Sequence, residues 1–155
     1  LADMAARLLE MKYLRSIREE LSAAYSAGAI YGVFFDADNK VQITINGMAQ
    51  LNPEKADVAI PCFFKGMDEV IAKVDADDLQ KVKEILLKQA GVDEKTNGYW
   101  IQTLGMFDLH KVDNYSNYKN LVKSIDGAQI SDFLKNVILK SGNHVEVIMK
   151  GEKNK

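Results

Sequence analysis

The sequence predicts an α+β domain, a mainly antiparallel sheet covered on one face by several helices, and three observations carry that expectation. Apolar residues recur at helical spacing in several long stretches, as in Leu14, Ile17, Leu21 and Ala24. Further on they alternate instead: Val41, Ile43 and Ile45 are separated by Gln42 and Thr44, the pattern of a strand in a sheet with one wet face. The stretches follow one another as helix, hairpin, three or four helices and strand, an order that layers the helices on one side of the sheet.

Residues 1–25 read as the first helix, supplied with high propensity by Ala, Leu, Met, Arg and Glu, and Gly28 is expected to end it. Ala29 to Phe35 and Lys40 to Ile45 read as two strands, and Asp36-Ala37-Asp38-Asn39 between them has turn chemistry, so an antiparallel hairpin follows. Asn52-Pro53-Glu54 is a helix start, with Asn as cap and Pro in the first helical position. The helix it opens is expected to run to about Val74 and to bury Val58, Phe63, Met67, Val70 and Ile71. Pro61 must kink or divide it, because its ring clashes with the carbonyl four residues back. Asp75-Ala76-Asp77-Asp78 caps a helix on which Leu79, Val82, Ile85 and Leu86 recur, with Gly91 as a possible end. Another runs through Gly98 to about Phe107, with Tyr99 and Trp100 expected to pack in the core rather than to stack on bases or sugars. Short helical runs are expected from Asn114 to Val122 and from Ile130 to Leu139, the latter burying Phe133, Leu134, Val137 and Ile138. A last strand is expected over His144 to Met149, with Val145, Val147 and Met149 on one face.

With 155 residues the chain is expected to be a single domain, 1–155, large enough to remove about 68–70% of its unfolded surface from water. Its 47% hydrophobic and 27% charged residues are a globular composition. A net charge of -2, with acidic and basic residues well mixed, argues against a dedicated nucleic-acid binder, which needs a basic excess to neutralise phosphates. No 18-residue apolar run marks a membrane span. The single cysteine, Cys62, has no internal disulfide partner and is expected to be a buried thiol beside Ile60, Phe63 and Phe64. The Lys-rich end, Lys150 to Lys155, reads as a frayed tail. The chain opens at Leu1 directly in helical sequence, so a fragment of a longer polypeptide is expected.

Arg18 and Tyr25 are the candidate functional residues. Seven positions apart, they would project at nearly the same angle from a continuous helix, about 10 Å apart along its axis, at the margin of the apolar stripe. One reading makes Arg18 a solvated charge and Tyr25 an amphipathic edge residue. The other has a guanidinium fork and a phenol offering donors to an extended ligand, such as the carbonyls of a bound peptide. Spacing alone leaves both open. Nucleophilic catalysis finds no support, because Ser22, Ser26 and Ser131 have no nearby His. The paired carboxylates are explained by capping and turns.

The run Ile17-Arg18-Glu19-Glu20-Leu21-x-x-x-Tyr25-Ser26 resembles the Arg-Glu-x-Leu-x-x-x-Tyr-Ser stretch in the C-terminal half of pitrilysin/insulinase-family zinc peptidases. A second match lies in Asp78-Leu79-Gln80-Lys81-Val82-Lys83 followed by Lys95-Thr96-Asn97-Gly98-Tyr99-Trp100, and together the two cover nearly the whole chain. The resemblance implies a C-terminal, non-metal-binding domain that closes over a zinc-bearing domain or subunit and is inactive alone. It implies that Arg18 holds carbonyls of an extended peptide substrate and that Tyr25 donates its hydroxyl near the scissile carbonyl. It also implies one or two strands before the first helix, which this sequence lacks, so the sheet is expected to be incomplete. Strand Ala29–Phe35 offers an edge on which an extended peptide can add.

The family's zinc ligands, His-x-x-Glu-His with a further Glu, are not in this sequence. Its two histidines, His110 and His144, lie 34 positions apart, and Asp108-Leu109-His110 and His144-Val145-Glu146 read as solvated turn or strand residues. No zinc is therefore expected in this chain, the metal of the complete enzyme being held elsewhere. The competing readings are a non-catalytic scaffold or partner-binding subunit with the same fold and, more distantly, a small-molecule enzyme.

Overall fold

The computed structural model describes residues 1–150. Helix α1 (Ala2–Tyr13) is the element that the hairpin and the helices at 61–72, 76–93 and 127–133 pack against. Met4, Ala5, Leu8, Leu9 and Tyr13 are all buried, a spread over about half the helix circumference. Both sides are covered, the hairpin on one and the helices Pro61–Ala72 and Ala76–Asp93 on the other. The helical rise continues as a wider, π-type turn, Leu14–Glu20, and ends there.

Strands β1 (Ala24–Phe35) and β2 (Val41–Leu51) pair antiparallel, with Tyr31 opposite Ile45 and Val33 opposite Ile43. The hairpin is the expected one but longer. β1 begins at Ala24, so the first helix stops well short of residue 25 and Gly28 lies within a strand instead of ending a helix. The connecting turn works as its composition implies: Asp36 Oδ1 accepts from the backbone N–H groups of Asp38 and Lys40, both at 2.9 Å, and Asn39 takes φ 62°. Among the described residues the sheet has these two strands alone. One face meets the helices closely. A Cβ at Gly47 would stand 2.8 Å from the Phe63 ring, which in turn packs edge-on against Tyr13 at 4.8 Å between centroids. Burial pushes the Tyr13 phenol up to about 12, and its neutral hydroxyl donates to the Phe63 carbonyl at 3.2 Å.

After a 3-10 turn (Pro53–Lys55) come α2 (Ala56–Ala59) and α3 (Pro61–Ala72), so Pro61 divides the helix as its missing N–H requires. Val70 is buried and Phe63, Met67 and Ile71 are half-buried, whereas Val58 is exposed, because the short α2 turns it away. Gly66 of α3 is buried against Tyr13, and a Cβ there would approach the ring to 2.8 Å. Gly66→Ala is therefore expected to destabilise the chain by about 1–2 kcal/mol in chemical denaturation, the ring clash outweighing the better helix propensity of Ala.

Helix α4 (Ala76–Asp93) passes through Gly91 without ending, with Val82 and Leu86 buried and Ile85 exposed. Its cap is the expected one: Asp75 accepts from the N–H groups of Asp77 and Asp78, each at 3.0 Å. Those bonds, the one from Asp78 first, hold the Asp75 carboxyl below its ordinary value of 3.8. A depressed carboxylate stabilises the fold above its unfolded pKa and loses that contribution as pH falls through the folded one. Asp75→Asn should thus flatten the acid limb of a stability-versus-pH curve below about pH 4, leaving its neutral limb parallel to that of the unsubstituted chain.

Helices α5 (Asn97–His110), α6 (Tyr118–Ser124) and α7 (Gly127–Phe133) follow, α7 opening on a capping box between Asp126 and Gln129 and continuing as a π-type turn to Ile138 and a 3-10 turn to Ser141. Phe133 and Leu134 are buried and Ile138 is half-buried, but Val137 is exposed on the widened turn. The expected last strand is absent from the described residues. His144 to Met149 pair with no other strand, and Val145, Val147 and Met149 all face solvent. Most of the Lys-rich end, from Gly151 on, lies outside the described residues. No helix among those residues is long and apolar enough to cross a membrane.

Candidate functional site

Arg18 and Tyr25 come together, by a different route from the continuous helix their spacing predicts. Arg18 sits on the π-type turn, which closes with bonds wider than those of an α-helix: the Leu21 N–H reaches the Ser16 carbonyl at 3.1 Å and the Ala23 N–H reaches that of Ile17 at 2.8 Å. Ser22 then takes φ 49°, in the left-handed region that L-residues enter only at a cost, and the chain leaves the helix. Tyr25 belongs to β1, where the register steps from Ala24 opposite Leu51 to Ala27 opposite Ala49. Two residues, Tyr25 and Ser26, therefore face the single Gln50, and such a bulge re-aims side chains. As a result the Arg18 guanidinium carbon lies 5.6 Å from the Tyr25 ring centroid, where a continuous helix would have kept the two about two turns apart.

The contact is exposed. Tyr25 has 88% of its surface open to solvent, and among the described residues Arg18 enters no ion pair. A cation–π contact in water contributes only about 0.5–1 kcal/mol. The guanidinium N–H groups and the phenol hydroxyl thus remain available, five donors in a planar fork beside one on a rigid ring.

What holds this geometry lies beneath it. Ile17 is fully buried under the turn. Arg15 reaches Asp78 on α4 at 3.5 Å, and that buried carboxylate also takes Lys81 at 3.1 Å. The Asn52 N–H donates to the Ala23 carbonyl at 2.7 Å, and the Lys55 ammonium donates to the carbonyls of Leu21 and Ser22 at 2.8 and 3.2 Å. None of these supports is evident in the sequence around Arg18. The one local signal was the cap of Asn52-Pro53-Glu54, which fixes where Lys55 points.

The other residues singled out in the sequence lie apart from this pair. His110 stacks on Phe35 at 3.8 Å between centroids and sits 2.5 Å from the Asn39 side chain, tying α5 to the hairpin tip. His144 meets Phe64 edge-on. No three His, Cys, Asp or Glu side chains come together among the described residues. Cys62 is half-buried, not buried, near the start of α3, and its thiol donates to the Val58 carbonyl at 3.5 Å. Ser131 donates to the Ile71 carbonyl. Tyr99 and Trp100 pack with Tyr115 in an aromatic cluster of their own outside the main core, with the indole N–H donating to the Glu94 carbonyl at 2.9 Å.

No family model and no curated protein matches this chain. Among solved structures, the chain is similar to the periplasmic protease PqqL from Escherichia coli, with a TM-score of 0.70 at 16% sequence identity over 88% of this chain and 15% of that one. It has the fold of a segment of a protease. A conserved protein from Enterococcus faecalis V583 is similar as well, with a TM-score of 0.68 at 12% identity over 86% of this chain and 31% of that one. At such identities the likeness is one of fold, and the chain spans less than a third of the length of either.

Proposed function

We propose that this chain is the substrate-binding C-terminal domain of a zinc-dependent endopeptidase of the pitrilysin/insulinase type. The fold likeness to a periplasmic protease supports a protease-associated domain. The finer reading rests on one observation: Arg18, with its guanidinium over the Tyr25 ring at 5.6 Å, and a phenol that is almost wholly exposed. Core packing does not account for an exposed tyrosine on a bulge beside an arginine that enters no ion pair among the described residues, and such a pair of donors suits an extended peptide.

In this role Arg18 donates to backbone carbonyls of the peptide and fixes its register. Tyr25 donates its hydroxyl to the oxygen of the carbonyl under attack, where negative charge develops in the transition state. In this reading the metal is held by a companion domain or subunit, and the pair acts across an interface. The chain by itself is expected to be inactive.

Turnover of an unstructured peptide by the complete polypeptide carrying Arg18→Ala tests this. A fall in kcat/KM of at least tenfold, with an unchanged melting curve, is the expected result. Unaltered turnover would remove the role assigned to Arg18 and favour the second reading, a non-catalytic scaffold. One feature speaks for that alternative: Ile30, Phe34 and Met48 are exposed on the sheet face opposite Ala27 and Ala29, an apolar surface suited to a partner.

A further inference from the structure

We propose that Lys55 is a positioning residue for the Arg18–Tyr25 pair, setting the angle between them by gripping the turn that joins their two elements. The inference rests on the reading of that pair as a peptide-binding device. Between Arg18 and Tyr25 the chain must change from helix to strand, and it does so through Leu21, Ser22 and Ala23, with Ser22 held at φ 49°. The carbonyls of these three consecutive residues all accept from one short module. Ala23 takes the Asn52 N–H at 2.7 Å, and Leu21 and Ser22 share the Lys55 ammonium at 2.8 and 3.2 Å.

The module is itself rigid. The Asn52 side chain accepts from the Glu54 N–H at 3.0 Å, its carbonyl accepts from the Lys55 N–H at 2.9 Å, and Pro53 has a fixed φ. Lys55 therefore projects from a braced 3-10 turn, half-buried, and its tetrahedral ammonium spans two successive carbonyls at the negative end of the helical run. Its ammonium donates to main-chain carbonyls, so it acts on the pair through the main chain. With the ammonium gone, the Leu21 and Ser22 carbonyls turn to water, and of the module's three bonds to the turn only that of Asn52 remains. Arg18 is three residues before Leu21 and Tyr25 three after Ser22, so a change in the backbone angles of Ser22 swings one against the other.

The test compares Lys55→Met, Lys55→Arg and Lys83→Met in the complete polypeptide. Lys83 donates to the Lys123 carbonyl at 2.8 Å at the end of α6, so its loss removes an equivalent lysine-to-carbonyl bond away from the turn. Lys55→Met is expected to lower kcat/KM for a peptide about tenfold, misplacement of a substrate-holding group being costly. Lys55→Arg restores most of that loss, and Lys83→Met leaves turnover unchanged. A second readout needs no activity: NMR of arginine-labelled protein reports the Arg18 side-chain protons shifted upfield by the Tyr25 ring. That shift collapses toward the free-arginine value in Lys55→Met and persists in Lys83→Met. Should Lys55→Met fail to fold, Lys55→Ala, which also lacks a donor, replaces it in both measurements. An upfield shift retained in the Lys55 variant overturns the inference, as do equal turnover losses in the Lys55 and Lys83 variants. If Arg18→Ala leaves turnover intact while Lys55→Met abolishes the ring-current shift, the peptide-binding reading fails and Lys55 keeps its hold on the turn.

Discussion

Tyr25→Phe in the complete polypeptide is expected to lower kcat for peptide hydrolysis by roughly 10²–10³-fold, about 3–4 kcal/mol of transition-state stabilisation, with KM little changed. The substitution is clean because it deletes one oxygen. Phe keeps a ring beneath the Arg18 guanidinium, so the contact at 5.6 Å and the bulge that presents it persist. At 88% exposure the lost hydroxyl desolvates nothing in the fold, and the melting temperature should stay within about a degree. A donor used only as charge develops on the substrate oxygen affects kcat and kcat/KM equally, whereas one that merely binds the ground state raises KM alone. Steady-state kinetics separate these cases. A rise in KM at constant kcat would move Tyr25 from oxyanion stabilisation to simple peptide binding, and wild-type values for both constants would leave it no role in the reaction.

The parts of the fold that local chemistry decides were legible in the sequence, and the parts that depend on a distant partner were not. The Asp36–Asn39 turn, the Asp75 cap and the division at Pro61 each follow from groups within four residues of one another. The helix end near Arg18 does not. Ala23 and Ala24 fit a helical stripe as well as a strand, and what decides between them is the hold of Asn52 and Lys55, about thirty residues on, over three carbonyls. The His144–Met149 alternation fails for a related reason. Period-two patterning describes a strand that has an edge to pair with, and no such pairing forms among the described residues. At the candidate site the resemblance singled out Arg18 and Tyr25, but the way the two meet was not legible. Seven residues of helix would have held them about 10 Å apart, and it took a π-type turn, a left-handed serine and a bulge to bring guanidinium to ring.

Ile17→Ala is expected to cost about 2–5 kcal/mol in chemical denaturation, the range for removing a buried Leu, Ile or Met side chain and leaving a partly relaxed cavity. Ile17 is fully buried, one residue before Arg18, and packs in the same cluster as Leu9, Tyr13 and Ala23. Against a total stability of about 5–15 kcal/mol for a domain of ordinary size, that loss is large. Ile17→Val, which removes one methyl group, should cost about 0.5–1.5 kcal/mol. Leu121→Ala, at a half-exposed position, should stay near 0.5 kcal/mol or below. The graded series distinguishes a packed core under the turn from a loosely held one, for which all three values would fall below about 1 kcal/mol. Ile17 also bears on function. Its carbonyl accepts the Ala23 N–H at 2.8 Å, so the residue that anchors the turn from below also closes it along the backbone. Loosening its side chain while the chain remains folded should therefore reduce the Arg18 ring-current shift as well as stability. Lys55→Met is expected to lose the ring-current shift with a smaller loss of stability. Two supports for the same pair, one apolar from beneath and one cationic from the side, would then be separable by their effects.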